Sequence, residues 1–176
     1  MELNRLAKEI YSIAHLTGSF TLRSGQQSSE YFDKYLFESD PKVLQAVASQ
    51  LKGLIPSNAD VLAGLEMGGI PVATALSLES GIPAAFVRKK AKDYGTCKLA
   101  EGTDIRGKRT VIIEDVVTTG GQILLSAADL REAGSIVEDV VCVIERHPEG
   151  REKLAEAGLR LHALFTMEQL TSAGQA

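Results

Sequence analysis

The chain has 176 residues, of which 44% are hydrophobic and 24% charged, and its formal net charge at pH 7 is −4. This composition predicts a soluble globular protein, and because no apolar run approaches the ~20 residues of a bilayer span and no signal-peptide core is visible, we expect a cytoplasmic one. The acidic balance argues against a general nucleic-acid binder, since affinity for a phosphate backbone needs a basic surface.

The first third of the chain predicts two helices separated by a strand-rich segment. Apolar residues of 3–14 recur with the i, i+3, i+4 and i+7 spacing of a one-sided helix, which we expect to end near Gly18. Residues 20–37 mix aromatic residues with the polar run SGQQSS, which predicts short strands joined by a turn and arranged as a lid. Asp40 followed by proline is typical of a helix start, and the helix continues to residue 51.

From residue 60 onward, short apolar runs alternate with helical patterns, as in βαβ units around a parallel sheet. The expected strands are 61–65, 84–88, 110–116, 137–144 and 161–165. The expected helices are 70–80, 121–133 and 149–157, each followed by a glycine that can end it, namely Gly81, Gly134 and Gly158. Residues 89–108 are expected to form a long connection, and loops of that length are usually functional or mobile.

The strongest motif is TVIIEDVVTTGGQ, residues 110–122. A buried strand ends in two adjacent carboxylates, Glu114 and Asp115, before a turn of two threonines and two glycines that opens a helix. Ligands of open α/β sheets bind outside the carboxyl ends of strands, and a helix N-terminus offers amides to phosphate. Phosphate donors beside acceptors for hydroxyl groups predict a ribose 5-phosphate site. The alternative is a solvated strand end followed by a tight turn. It can account for either half of the motif alone, but it accounts less well for the two halves together.

Two further segments suit a second anionic group on the ligand, such as a diphosphate. In GLEMGGIP, residues 64–71, glycines at a helix start let backbone approach an anion such as pyrophosphate, although close packing of helix on strand is an alternative. In FVRKKAKDYGTCKLAEG, residues 86–102, Arg88, Lys89 and Lys92 cluster where the long connection leaves the sheet. A charged run is usually a solvated face, and that alternative stays open here.

These segments resemble motifs of a known family. The run 110–122 resembles the phosphoribosyl diphosphate motif of type I phosphoribosyltransferases, and the pattern RKxxKDxG that begins at Arg88 resembles the catalytic loop of orotate phosphoribosyltransferases. The resemblance implies one α/β domain over 1–176: a parallel sheet within 58–166 with helices on both faces, and a small N-terminal hood within 1–40.

The resemblance also implies roles for individual residues. Those expected to bind 5-phosphoribosyl 1-diphosphate (PRPP) are Arg88, Lys89, Lys92, Glu114, Asp115, Val116, Val117, Thr118, Thr119, Gly120, Gly121 and Gln122. The expected pyrophosphate loop consists of Glu66, Met67, Gly68 and Gly69. Orotate is expected to meet Arg23, Tyr31, Phe32, Thr118 and Arg146. The expected catalytic residues are Lys92, Glu114 and Asp115, with Lys92 stabilising the departing pyrophosphate.

The implied reaction transfers the phosphoribosyl group of PRPP to orotate in pyrimidine biosynthesis. Mg²⁺ is the implied cofactor, bound mainly through the diphosphate and without a direct protein ligand. The family further implies a homodimer in which the catalytic loop reaches the partner's site, with no nucleic acid and no membrane as partner. Many family members have His where this chain has Tyr94, which leaves the role of that position open.

Three other functions fit the sequence less well. A phosphoribosyltransferase for adenine or xanthine would share the phosphate motif but not the RKxxKDxG pattern. A non-catalytic regulator that senses a metabolite and binds nucleic acid should show a basic face or an added DNA-binding segment. The run GTDIRGKR, residues 102–109, is not a P-loop, because Arg109 stands where Ser or Thr is needed and the run precedes a strand.

Overall fold

The computed structural model of the chain describes residues 1–22, 24–90 and 99–175. Its helices are α1 Leu3–Ala14, α2 Lys34–Ser39, α3 Pro41–Leu51, α4 Gly69–Ser80, α5 Gly121–Glu132, α6 Pro148–Glu156 and α7 Met167–Gln175, with a 3-10 turn at Lys52–Leu54. Its strands are β1 His15–Thr21, β2 Gln27–Phe32, β3 Val61–Leu65, β4 Ala84–Val87, β5 Ala100–Gly102, β6 Arg109–Val117, β7 Ile136–Glu145 and β8 Arg160–Thr166. None of the helices in these ranges is long and apolar enough to cross a membrane.

The main sheet has the strand order β5-β4-β3-β6-β7-β8, and strands β4, β3, β6, β7 and β8 pair in parallel. The chain leaves β3 towards β4 on one side and leaves β6 towards β7 on the other, so the connections diverge between β3 and β6. Such a switch point opens a crevice at the carboxyl ends of the two central strands, where ligands of α/β sheets bind.

Helices cover both faces of the sheet. On one face, α1, α3, α4 and α7 bury apolar side chains such as Ile10, Val47, Leu76 and Leu170. On the other face, α5 and α6 bury Leu130 and Leu154 among their contacts. The strands between the layers are nearly continuous apolar runs, as expected for a parallel sheet that is buried on both sides. The predicted α/β fold with a parallel sheet and helices on both faces is therefore confirmed.

The predicted elements of the core agree closely with the structure. Strand β3 has the predicted bounds, and β4, β6, β7 and β8 differ from the predicted bounds by one residue at one or both ends. Asp40 caps α3 as expected, because its carboxylate accepts hydrogen bonds from the backbone N–H groups of Lys42 at 2.9 Å and Val43 at 3.1 Å. The glycines after α4, α5 and α6 all have positive φ, which is the backbone conformation that ends a helix cheaply only with glycine.

The N-terminal and edge elements differ from the predictions. The first helix ends at Ala14 rather than near Gly18, because residues from His15 onward pair with β2 in an antiparallel hairpin. The segment predicted as a long connection contains β5, which pairs antiparallel with β4 at the sheet edge. Helices α2 and α7 were not predicted. The assignment of residues 1–176 to one domain, with hood elements within 1–40, stays a prediction.

A polar cluster joins β7 and β8 at their amino ends, away from the crevice. The buried carboxylate of Asp139 accepts two hydrogen bonds from Arg160, both 2.8 Å long, and lies 2.8 Å from Nε2 of His162. The hydrogen bonds from Arg160, helped by His162, outweigh burial and hold the pKa of Asp139 below its ordinary value.

We expect Asp139→Asn to lower the free energy of unfolding by about 1–2 kcal/mol at pH 7, since Arg160 is largely exposed and solvent screens the pair. Because the folded pKa of Asp139 is depressed, its stabilisation is present above the unfolded pKa and disappears as the pH falls through the folded pKa. Urea unfolding from neutral to acidic pH measures this difference. The exposed neighbour variant Glu138→Gln should change stability by less than about 0.5 kcal/mol, and a pH-independent loss in Asp139→Asn would contradict the electrostatic origin.

Candidate active site

Two loops meet at the carboxyl ends of the central strands. Strand β3 runs into the segment 66–69, and β6 runs into the segment 118–120, with Gly64 opposite Ile113 in the parallel register. The predicted pyrophosphate loop and the predicted ribose phosphate motif therefore lie side by side. Because both follow neighbouring strands at the switch point, the fold brings together two sequence segments that are far apart in the chain.

The glycines of the 66–69 loop are pressed against strand β6. A Cβ atom on Gly68 would overlap the carboxylate of Asp115, and one on Gly69 would overlap the carbonyl oxygen of Ile113. Close packing of helix α4 on the sheet, which was the alternative explanation of these glycines, is thus part of their role. The same packing leaves the backbone of the loop directly beside the acidic end of β6, and the Glu66–Met67 peptide bond in it is cis.

Glu66 connects this loop to the start of the cationic segment. Its carboxylate accepts a hydrogen bond of 2.6 Å from the backbone N–H of Lys89, and its own N–H donates to the carbonyl of Val87 at 2.9 Å. Lys89 is exposed and Arg88 is half-buried, with its Nε 4.0 Å from a carboxylate oxygen of Glu101. Lys92 and Tyr94 lie outside the described residues, so the role of Lys92 stays a prediction and that of position 94 stays open.

The two carboxylates at the end of β6 have different surroundings. The Asp115 side chain is fully buried, and its Oδ1 accepts a 2.6 Å hydrogen bond from the N–H of Val116. Glu114 accepts a 3.2 Å hydrogen bond from the N–H of Asp115. Burial raises the pKa of Glu114 well above its ordinary value, and the adjacent Asp115 raises it further.

Helix α2 adds two residues that the sequence did not single out. Nζ of Lys34 lies 2.6 Å from Oδ2 of Asp115, and the carboxyl group of Glu38 faces the same carboxylate and is only 6% exposed. Burial raises the pKa of Glu38 to about 9, with the hydrogen bond to Asp115 as the second cause and the Asp115 charge as the third. Burial alone would also raise the pKa of Asp115, but hydrogen bonds from Glu38 and Lys34 outweigh it and hold that pKa below its ordinary value.

One signal in the sequence could have revealed this pair. Lys34 and Glu38 stand four residues apart, and Asp33 before them caps the helix by accepting a 3.1 Å hydrogen bond from the N–H of Tyr35. A cap followed by polar residues at i and i+4 predicts a short helix with both side chains on one face. The pattern does not predict the partner of Lys34 and Glu38, because Asp115 is distant in sequence.

The segment after β6, where a phosphate is predicted to bind, runs into the start of a helix. Thr118 and Thr119 are exposed, and Gly120 has a φ of 75°, which strongly favours glycine there. Helix α5 begins at Gly121, and no side chain caps its first turn. The first backbone N–H groups of a helix have no partner within the helix and carry the positive end of its dipole. Exposed hydroxyl groups and the first amides of α5 therefore follow closely after the two acids in the chain.

The predicted orotate residues lie in two places. Tyr31 is exposed on β2 with its ring centroid 5.5 Å from that of Phe20, and Phe32 packs against the hydrophobic core. Neighbouring strand residues point to opposite faces, so Tyr31 and Phe32 present different sides of the hairpin. Arg146 is exposed after β7, where its backbone N–H donates to the carbonyl of Val117 at 2.8 Å. Arg23 lies outside the described residues.

The sequence is similar to a family model and to curated proteins over most of its length. Residues 37–157 match the phosphoribosyl transferase domain. The chain is 53% identical over 171 residues to the orotate phosphoribosyltransferase of a Nocardioides strain, a match that covers 97% of this chain and 96% of that protein. It is 43% identical over 153 residues to the orotate phosphoribosyltransferase of Methanocella arvoryzae, covering 87% of each chain.

Solved structures agree with these sequence matches. Orotate phosphoribosyltransferase of Mycobacterium tuberculosis, in complex with Fe(III) dicitrate, matches with a TM-score of 0.87 at 29% identity and covers 96% of this chain and 98% of its own. An adenine phosphoribosyltransferase of Thermoanaerobacter pseudethanolicus matches with a TM-score of 0.70 at 23% identity, over 92% of this chain and 99% of its own, which shows the fold alone. The resemblance drawn from the motifs is confirmed, and the chain belongs to the orotate phosphoribosyltransferases of the type I phosphoribosyltransferase family.

Proposed function

We propose that this chain transfers the phosphoribosyl group of PRPP to orotate, releasing pyrophosphate and forming orotidine 5′-phosphate for UMP biosynthesis. The observation that supports this best is the joined arrangement at the switch point of the sheet. The acids at the end of β6 stand between an exposed helix N-terminus on one side and a glycine loop on the other. A sugar with phosphate groups at both ends fits this order of donors and acceptors.

The 5-phosphate is proposed to bind at the start of α5. The hydroxyl groups of Thr118 and Thr119 and the first amides of the helix would donate to its oxygens. The backbone from Val116 onward would complete this cradle, while Glu114 and Asp115 would accept hydrogen bonds from the ribose hydroxyl groups. This division needs no net positive charge, because amides and hydroxyl groups supply oriented dipoles.

The diphosphate is proposed to bind between the loop 66–69 and the cationic segment that begins at Arg88. As the bond to the sugar breaks, positive charge develops on the ribose and negative charge on the departing pyrophosphate. Little covalent help is needed for such a step, so the rate depends on position and on charges already in place. Lys92 remains our leading candidate for stabilising the leaving group, with Arg88 and Lys89 binding the diphosphate in the ground state.

Mg²⁺ fits this site as a partner of the substrate. The ion prefers oxygen ligands and retains water readily, so it commonly binds through substrate phosphates and few protein groups. In the described part of the chain, no group of three or more His, Cys, Asp or Glu side chains could hold a metal ion. Asp115 is already paired with Lys34, which also favours a cation carried mainly by the diphosphate. When bound, Mg²⁺ would offset negative charge on the pyrophosphate.

Orotate is proposed as the base, with Arg23, Tyr31, Phe32, Thr118 and Arg146 as its contacts. The support is the RKxxKDxG pattern and the names of relatives that match this chain almost end to end. Adenine is the second candidate, since an adenine phosphoribosyltransferase shares the fold. A non-catalytic regulator is disfavoured because the matched relatives are transferases. The homodimer with a shared loop and the cytoplasmic location stay predictions.

A panel of bases tests the reaction itself. With PRPP and Mg²⁺ present, orotate should release pyrophosphate, while uracil should react about 10⁴ times more slowly, because it leaves donors meant for the carboxylate unpaired. Adenine and xanthine should be inactive. Release of pyrophosphate is measured for each base in parallel, with a reaction lacking any base as control. Equal rates with uracil and orotate would contradict the base assignment, and a preference for adenine would replace it.

Removal of Lys92, the cation proposed to stabilise the departing pyrophosphate, gives a second test. Lys92→Ala should lower kcat by about 10²–10³ while urea unfolding shows an unchanged free energy, because one preorganised donor to the transition state is lost. The matched control is Lys90→Ala, an exposed lysine of the same segment to which no role is assigned. A Lys92→Ala enzyme within about threefold of wild type would contradict the assignment.

The packing of the glycine loop gives a third test. Gly68→Ala places a Cβ where the Asp115 carboxylate lies, so the loop must move. Because a misplacement of about 1 Å can cost on the order of 10² in rate, kcat/KM for PRPP should fall by about that factor. Gly53→Ala is the control, since its Cβ would meet no atom within 4 Å. Steady-state kinetics with PRPP varied at saturating orotate measures both, and wild-type kinetics in Gly68→Ala would contradict the role of the loop.

A further inference from the structure

Helix α2 presents a polar face to the active site and an apolar face to the core. Phe37 is fully buried in the hydrophobic cluster, whereas Lys34 and Glu38 turn towards Asp115. An apolar pair at positions 34 and 38 would anchor the helix at lower cost, because buried ion pairs seldom add net stability. The presence of three charged or ionisable groups in contact therefore calls for an explanation other than folding.

The contacts fix how these groups share protons. Two ionised carboxylates offer only acceptors, and in that form both Glu38 oxygens are buried without a hydrogen-bond donor, while Oδ2 of Asp115 has only the ammonium group of Lys34 beside it. A proton on Glu38 turns it into a donor to Asp115, and burial favours the neutral acid at position 38. Asp115 thus stays ionised between the ammonium group of Lys34 and the acid of Glu38, and two partners on α2 fix the orientation of its carboxylate.

The same arrangement controls the charge that a substrate meets. Glu38, Glu114 and Asp115 bring three carboxyl groups together, and Lys34 is the cation paired with them. If all three acids were ionised, two negative charges would remain uncompensated beside a polyanionic sugar diphosphate. With Glu38 neutral, the charges of Lys34 and Asp115 cancel, and Glu114 is the only acid of the three that can still add a negative charge. Repulsion between like charges is strong in a partly buried site, so this lower charge favours binding of the donor.

We propose that Lys34 and Glu38 are positioning residues for the phosphoribosyl donor, which orient the Asp115 carboxylate and lower the negative charge of the acidic cluster around it. The inference rests on the function proposed above. It assigns both residues to the donor rather than to the base, because their contact is with the acid expected to hold the ribose hydroxyl groups. Neither residue needs to touch the reacting atoms, since both act through Asp115.

The test compares a disruptive and a conservative variant at each position. Lys34→Met removes the cation and should raise KM for PRPP at least tenfold, while KM for orotate at saturating PRPP stays within about twofold. Lys34→Arg keeps the charge and should recover most of the donor KM. Glu38→Gln keeps a neutral donor to Asp115 and should stay within about threefold of the wild-type donor KM, whereas Glu38→Leu should raise it about five- to tenfold. Lys42→Met, an exposed lysine on α3, is the control.

The measurements separate this inference from the function on which it rests. Absence of pyrophosphate release by the wild-type enzyme with PRPP and orotate refutes the function. Given wild-type activity, equal donor KM values for Lys34→Met and Lys34→Arg, or for Glu38→Leu and Glu38→Gln, refute the inference. Calorimetric titration with PRPP and Mg²⁺ should show the same order of affinities without turnover. If Lys34→Met does not fold, the Glu38 pair decides, and loss of stability with an unchanged donor KM means a structural role only.

Discussion

The carboxylate of Asp115 is the group around which the active site is arranged. It is fully buried at the end of a central strand, and a buried charge is tolerated only when partners replace the water it has lost. Those partners come from separate parts of the chain: the ammonium group of Lys34, the acid of Glu38 and the backbone N–H of Val116. Gly68 must lack a side chain because the carboxylate occupies that space. One desolvated group thus joins α2, the glycine loop and β6.

The sheet topology explains why these parts meet. Connections leave β3 and β6 in opposite directions, which opens a crevice at the carboxyl ends of these two strands, and the loops that follow the strands line it. The loop after β3 is tied on one side to Lys89 through Glu66, and on the other it packs against the end of β6. The cations at the end of β4 and the amides at the start of α5 therefore flank the same acids. Positions fixed by strands suit a reaction that depends on placement more than on covalent help.

The sequence predicted those elements whose signal is local. Strand β3 and its parallel neighbours are short apolar runs that alternate with helical patterns, and their bounds could be placed within a residue or so. Strand β5 has only the residues Ala100–Gly102 and exists through its pairing with β4, so its own sequence carries little signal. Helix α2 has six residues and is held by Phe37 in the core and Lys34 on Asp115, both long-range contacts. The candidate site was predictable where it follows strand ends, whereas the role of Lys34 and Glu38 was not, because their partner Asp115 is distant in sequence.

An acidic chain that binds a polyanion must offset the electrostatic repulsion with donors and cations placed at the binding site. The net charge of −4 attracts no phosphate, and the acids needed for the ribose hydroxyl groups add further negative charge at the point of binding. Oriented amides at the start of α5 favour a phosphate without any ionised group, and their effect ends within about one helical turn. In the proposed site, cations from Arg88 onward would bind the diphosphate on the other side. The proton of Glu38 and the ammonium group of Lys34 would then leave Asp115 a strong acceptor and lower the negative charge that the ligand meets. In this proposal, helix α2 contributes to the electrostatics of the donor site through Asp115, which is distant from it in sequence.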